Sequence, residues 1–272
     1  MSGWRADLSL EFHSQNGKTI LARNHHMGPL MVQRPFYPEE NGCCQVCITH
    51  PPGGIVGGDI IALEASLAPR CHAQITTTSA SKFYRSSGAT ARLCHVLQVE
   101  HDSILEWLPQ DSNIYSGALA QLATLVHLRG NARFIGWDIL TLGHQPLLKP
   151  FDHGAINSNF ELWREQQLLL VERAHYEAGS SWLDKPWGLG ENSVTGILIA
   201  TPVHEHSALQ VRGNWPGSRH PSPWSSTQMG ELLVCRYLGS SVEQARQRFM
   251  EAWNVLRRQM TGFPAKKPRL WI

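Results

Sequence analysis

Four carboxylates in this chain stand where carboxylates are costly. Asp59 closes the run Pro51-Pro52-Gly53-Gly54-Ile55-Val56-Gly57-Gly58. Glu106 lies in Leu105-Glu106-Trp107-Leu108, Asp138 in Ile135-Gly136-Trp137-Asp138-Ile139, and Glu172 follows Leu168 to Val171. Each sits inside or beside an apolar, strand-like run. A carboxylate taken out of water must be paired, hydrogen-bonded or turned toward a metal. Two arrangements satisfy that demand. Salt bridges to Arg85, Arg133 or Arg173 would make these groups structural. A polar path through the body, with Asp59, Glu106, Asp138 and Glu172 as stations, would pass an ion along.

Other motifs narrow the chemistry. The glycine run lacks the Gly-Lys-Ser/Thr of a phosphate-binding loop, and no G-x-G-x-x-G enters a helix. It reads as a β-bend in which Gly53, Gly54, Gly57 and Gly58 take positive φ or allow close approach. That bend is either a structural double turn or a device presenting Asp59 to a ligand. Thr76 to Ser86 is dense in hydroxyls and carries Lys82, Tyr84 and Arg85. Ser79-x-x-Lys82 resembles a serine-activating motif, but the S-D-N and K-T-G partners are missing, so a serine hydrolase is disfavoured. Glu106 and Gln110 fall in Leu105-Glu106-Trp107-Leu108-Pro109-Gln110. Six cysteines are too sparse for a disulfide framework. Cys44 and Cys47 form a CxxC on a strand, where positions three apart face opposite ways, so both read as buried thiols. Fourteen histidines are scattered rather than clustered and read mainly as surface groups. His204-Glu205-His206 would put two imidazoles on one face of a strand, a surface cluster rather than a tight site.

The elements that must position these groups are mostly strands. Ala6 to Phe12 and Lys18 to Ala22 flank the hairpin signal Asn16-Gly17. Ile60 to Leu67, His72 to Thr78, Ala91 to Val99, Ile104 to Leu108 and Phe134 to Leu142 follow. Phe160 to Trp163 and Leu168 to Val171 make a second hairpin, and Val194 to Ala200, Leu209 to Arg212 and Glu231 to Tyr237 complete the strands. Ala118 to Val126 suits either a strand or a short helix. A helix is predicted over about 240–261, from a Ser240/Glu243 capping box to Gly262. Its apolar stripe runs through Phe249, Trp253, Leu256 and Met260, with Arg257 near the negative end of the helix dipole. Asn214 to Gln228 reads as a Pro/Ser loop whose Trp215 and Trp224 fold back on the body. With 42% apolar and 17% charged residues the chain suits one globular domain over 1–272. A net charge of +2 gives no nucleic-acid surface, and no apolar run is long enough for a membrane helix. A cytoplasmic location is the expectation.

The glycine bend, Lys82-Phe83-Tyr84-Arg85-Ser86, Leu105 to Gln110, Gly136-Trp137-Asp138-Ile139-Leu140, Arg236-Tyr237-Leu238-Gly239 and Pro268-Arg269-Leu270-Trp271 occur in one order. In that ordered set the chain resembles the UreD (UreH) family of urease accessory proteins. His144 and Asp138 depart from the family's usual arginine and glutamate. The resemblance implies a mainly β, superhelical, multi-stranded body, with strands to about 238 and then a C-terminal helix and tail. It implies a non-enzymatic scaffold that binds apo-urease and recruits UreF and, through UreF, the GTPase UreG for nickel insertion. No tightly bound cofactor is expected, only transient Ni2+, with Asp59, Asp138 and Glu172 as candidates for its passage. The C-terminal helix and tail, with Trp253, Arg257 and Trp271, are expected either to contact a partner, UreF, or to close the β-body, packing on the sheet being favoured. The competing reading is a β-rich carbohydrate-binding module or glycosidase.

Overall fold

The computed structural model describes residues 3–144, 149–213, 224–268 and 271. The first strands are Arg5–Gln15 (β1), Lys18–Met27 (β2), Met31–Val32 (β3), Cys44–Thr49 (β4) and Ile60–Leu67 (β5). Next come His72–Thr77 (β6), Ser81–Phe83 (β7), Ala91–Val99 (β8), Ile104–Leu108 (β9) and Ser112–Ile114 (β10). Leu119–Leu128 (β11), Arg133–Leu142 (β12), Ala155–Arg164 (β13) and Gln167–Glu177 (β14) precede a short helix, Ser181–Asp184 (α1). Val194–Thr201 (β15), Ser207–Gly213 (α2), Trp224–Met229 (β16), Leu232–Gly239 (β17) and Val242–Thr261 (α3) complete the described elements.

The fold is mainly β and superhelical. From β4 to β13 the chain shuttles between two sheets and lays successive strands parallel in each. One sheet stacks β1, β5, β8, β11 and β13 in parallel, with antiparallel β2 and β14 at its edges. The second stacks β4, β6, β9 and β12 in parallel and is extended antiparallel by β15, β17 and β16. The inner faces pack on one another through Leu8, Leu63, Leu97, Trp107 and Phe134. Helix α3 covers the outer face of the second sheet, where Trp137 and Leu198 meet Phe249 and Trp253. The second sheet is therefore buried on both faces, and β4 and β9 are buried almost continuously, Gln45 and Glu106 included. The first sheet is covered on one face only, so β1 and β11 alternate. No helix among the described residues is long and apolar enough to cross a membrane.

The structure corrects several local expectations. The ambiguous Ala118–Val126 run is strand β11, held between β8 and β13. Leu209 to Arg212 belongs to helix α2 rather than a strand. Helix α3 is capped by Ser241, not Ser240: Ser241 is extended, and its Oγ accepts from Gln244 N at 3.2 Å. The Pro/Ser loop gives way to strand β16 at Trp224, whose ring packs 5.5 Å from Phe249. Residues 214–223, with Trp215, lie outside the described residues. Asn16 and Gly17 turn the first hairpin with φ of 51° and 75°, and Gly262 ends α3 in the left-handed region.

Candidate functional site

Toward the β14 and β17 end, the two sheets part around a cavity of about 230 Å³. Asp138 from β12 and Glu172 from β14 both line it, with Phe160, Tyr176, Thr195 and Arg236. Strand parity brings them there. Asp138 pairs with Ile197 and Ile197 with Arg236, so Asp138 and Arg236 lie in one row across the second sheet. Arg236 then bridges the sheets, donating from Nη2 to Glu172 Oε2 at 2.7 Å and from Nε to Oε1 at 3.3 Å. Glu172 is thus an ion-pair partner at a half-exposed mouth. Asp138 forms no ion pair among the described residues. Burial pushes its carboxyl up to about 6, against a smaller opposing effect of the Ile139 backbone hydrogen bond.

A smaller cavity of about 50 Å³ lies in the same inter-sheet space, against His50, Lys82, His95 and Trp107. Burial lowers the pKa of both histidines, His95 to about 4, so His95 is neutral near pH 7. His95 Nδ1 lies 3.1 Å from Thr124 Oγ1, and its ring is 4.9 Å from Trp107. These two imidazoles escaped the scattered-surface reading of the histidines. Alternation in Leu93-Cys94-His95-Val96-Leu97 carries the signal, since Leu93, His95 and Leu97 share one face.

Glu106 points out of the second sheet, under α3, and is wholly buried. His72 Nε2 meets Glu106 Oε1 at 2.6 Å, Trp253 Nε1 donates to Oε2 at 2.6 Å, and Arg257 Nε lies 2.9 Å from both oxygens. Arg257 Nη2 also donates to Glu39 at 2.8 Å. Burial alone would raise the Glu106 pKa; the His72 hydrogen bond and charge and the Arg257 charge outweigh it and hold the group at about 2. The residues expected at a partner interface therefore face inward. Trp253 and Arg257 are buried. Trp271 is half-buried, its indole N–H donating to Thr76 Oγ1 at 3.0 Å and its ring 5.6 Å from Trp137. Arg257 meets two carboxylates and also donates from Nη1 to the Pro264 carbonyl just beyond the end of α3.

The glycine bend is a structural clasp. Asp59 is buried, and its two oxygens accept the backbone N–H groups of Trp4 and Val56, each at 2.8 Å. It lines neither inter-sheet cavity. Gly58 has φ +94°, whereas Gly57 is needed for close approach: a Cβ there would collide with Ser86 Oγ and the Ala89 carbonyl. Gly54 lies beneath the Tyr84 ring, and Gly53 takes φ +69°. The Lys82 carbonyl accepts from Ile55 N at 2.7 Å, Arg85 packs along Gly117, Tyr84 stacks tilted on Tyr115, and Gln110 N–H donates to Thr77 Oγ1.

The expected arginine partners are otherwise engaged. Arg133 donates to the Met260 carbonyl, and Arg173 pairs with Glu161. The His204-Glu205-His206 cluster sits in the turn before α2, exposed, with His206 at φ +66°. Cys44 faces the inter-sheet core and Cys47 lies outside it; both are buried free thiols.

A profile of the family described as UreD urease accessory protein matches residues 5–272. The urease accessory protein UreD of Klebsiella aerogenes is 40% identical over 278 residues, spanning 99% of this chain and 97% of that protein. The UreD of Pseudomonas putida is 41% identical over 270 residues, spanning 99% and 95%. That of Saccharophagus degradans is 37% identical over 273 residues, spanning 98% and 92%. This chain belongs to the UreD family of urease accessory proteins.

Proposed function

We propose that this protein serves urease maturation as a non-enzymatic cytoplasmic scaffold. In this reading it binds apo-urease, recruits UreF and, through UreF, the GTPase UreG, and gives nickel a passage toward the dinuclear site. The observation that carries the passage is the inter-sheet cavity where Asp138 and Glu172 converge. Nickel(II) accepts carboxylate and imidazole ligands. A conduit needs several weak sites rather than one strong one, as channels do. Asp138 offers a carboxylate with no ion pair among the described residues, Glu172 one shared with Arg236, and His95 a neutral imidazole elsewhere in the same space. Asp59 supports the passage only indirectly, because it lines neither inter-sheet cavity.

The test is urease matured with Asp138→Asn or Glu172→Gln protein. Complex formation with apo-urease should persist while nickel per urease active site falls several-fold. Full nickel loading with both variants would make these carboxylates structural, and loss of urease binding would make them interface residues.

A further inference from the structure

On the opposite face of the second sheet from the Asp138 cavity, three side chains have the composition of a metal centre. Cys43 Sγ, a ring nitrogen of His72 and a carboxylate oxygen of Glu106 all lie within 4.8 Å of one another. The parallel register brings them together. Cys44 pairs with Ala73 and Ala73 with Leu105, so Cys43 and His72 precede neighbouring positions and Glu106 follows one step along. We infer that Cys43, His72 and Glu106 form a binding site for one borderline divalent transition-metal ion, of the zinc and nickel class.

The donor set carries the choice of ion. Thiolate, imidazole and carboxylate together suit zinc, cobalt or nickel, and not the oxygen-seeking magnesium or calcium. Zinc–ligand bonds of about 2.0–2.3 Å place tetrahedral donors about 3–4 Å apart. With all three atoms within 4.8 Å of one another, and His72 Nε2 only 2.6 Å from Glu106 Oε1, ligation would require those two to separate slightly.

A second observation points to a ligand independently. Gln74, between His72 and Thr76 on β6, is 1% exposed, and its Oε1 has no hydrogen-bond partner among the described residues. Its Nε2 donates to Glu106 Oε2 at 3.4 Å, which holds the amide, with its unsatisfied oxygen, beside that carboxylate. A buried acceptor without a partner is costly, and a bound ion or its water would satisfy it.

Charge and access agree. Glu39 and Glu106 share the single guanidinium of Arg257, whose Nη1 donates to the Pro264 carbonyl. The ligand carboxylate is thus not neutralised by Arg257 alone. Trp253 Nε1–H and Arg257 Nε fix the orientation of the Glu106 carboxylate, as the outer hydrogen bonds of a metal centre do. His72 is 13% exposed while Glu106 is sealed, so the imidazole side is the way in. Ligation would tie β4, β6 and β9 together beneath α3.

Cobalt(II) added to the full-length protein is the probe. The expected result is a thiolate-to-cobalt charge-transfer band that saturates at one equivalent and is displaced by zinc. Cys43→Ala should abolish the band, and Cys47→Ala, a thiol outside the donor set, should keep it. His72→Gln should weaken cobalt binding by at least about tenfold with an unaltered circular dichroism spectrum. Absence of the band in the unaltered protein overturns the site, as does a band that survives Cys43→Ala. If Cys43→Ala does not fold, unchanged affinity in His72→Gln overturns it equally. Asp138→Asn should leave the cobalt spectrum as it is, which separates this site from the passage.

Discussion

At the scale of single residues, Glu106 is the most exacting position. Glu106→Gln would leave Arg257 with Glu39 alone and deprive His72 of its partner. Breaking a buried pair in this way costs about 3–5 kcal/mol. The pH dependence has a definite sign. The folded carboxyl is held at about 2, below its ordinary value of 4.5, so its stabilisation is present above 4.5 and is lost as pH falls toward 2. Urea midpoints measured across pH should show that acid loss in the native protein and a smaller one in Glu106→Gln. Equal midpoints at pH 7 would make the cluster dispensable. Gly57 and Gly58 should fail for different reasons. Gly57→Ala forces overlap with Ser86 and Ala89, at about 1–3 kcal/mol, and a second change of Ser86 to glycine should recover part of it. Gly58→Ala suffers from φ +94°, and the same second change should recover nothing. Chemical denaturation of the two double variants decides between the mechanisms. The sequence exposed all four carboxylates through their apolar settings but misassigned their partners. Strand parity decides which way each one points, and Arg257 lies 151 residues from Glu106.

At the scale of elements, α3 was legible because its stripe repeats over five turns. Phe249, Trp253, Leu256 and Met260 are all buried where the period places them. At about 1.5–3 kcal/mol for each large side chain, their burial contributes roughly 6–12 kcal/mol before entropy costs. Truncation after Gly239 should therefore give insoluble or molten protein, because it uncovers Trp137 and Leu198 and strips Glu106 of Arg257. Near-ultraviolet circular dichroism of the truncated chain is the check, and a native-like spectrum would show that α3 only decorates the sheet. Shorter elements were less readable. Four residues from Leu209 to Arg212 cannot distinguish periods of 2 and 3.6, and the cap moved one residue because Ser240 and Ser241 are equivalent in sequence. The alanines and leucines of β11 favour a helix locally, but the slot between β8 and β13 overrides that preference.

At the scale of the whole molecule, turn residues between short apolar runs announced a β protein. They did not announce which strands pair, because a parallel coil joins positions a full circuit apart. The superhelical reading rested on resemblance, and the parallel ladders supply its physical content. Burial on two faces explains why β4 and β9 lack the alternation of β1. The same architecture has a consequence for synthesis on the ribosome. Sheet strands around Glu106 emerge early, whereas the guanidinium that meets this carboxylate belongs to the last helix. A nascent or prematurely terminated chain therefore displays an unmatched charge set in an uncovered apolar face. Docking of α3 removes both marks at once, because one element supplies Arg257 and covers Trp137 and Leu198.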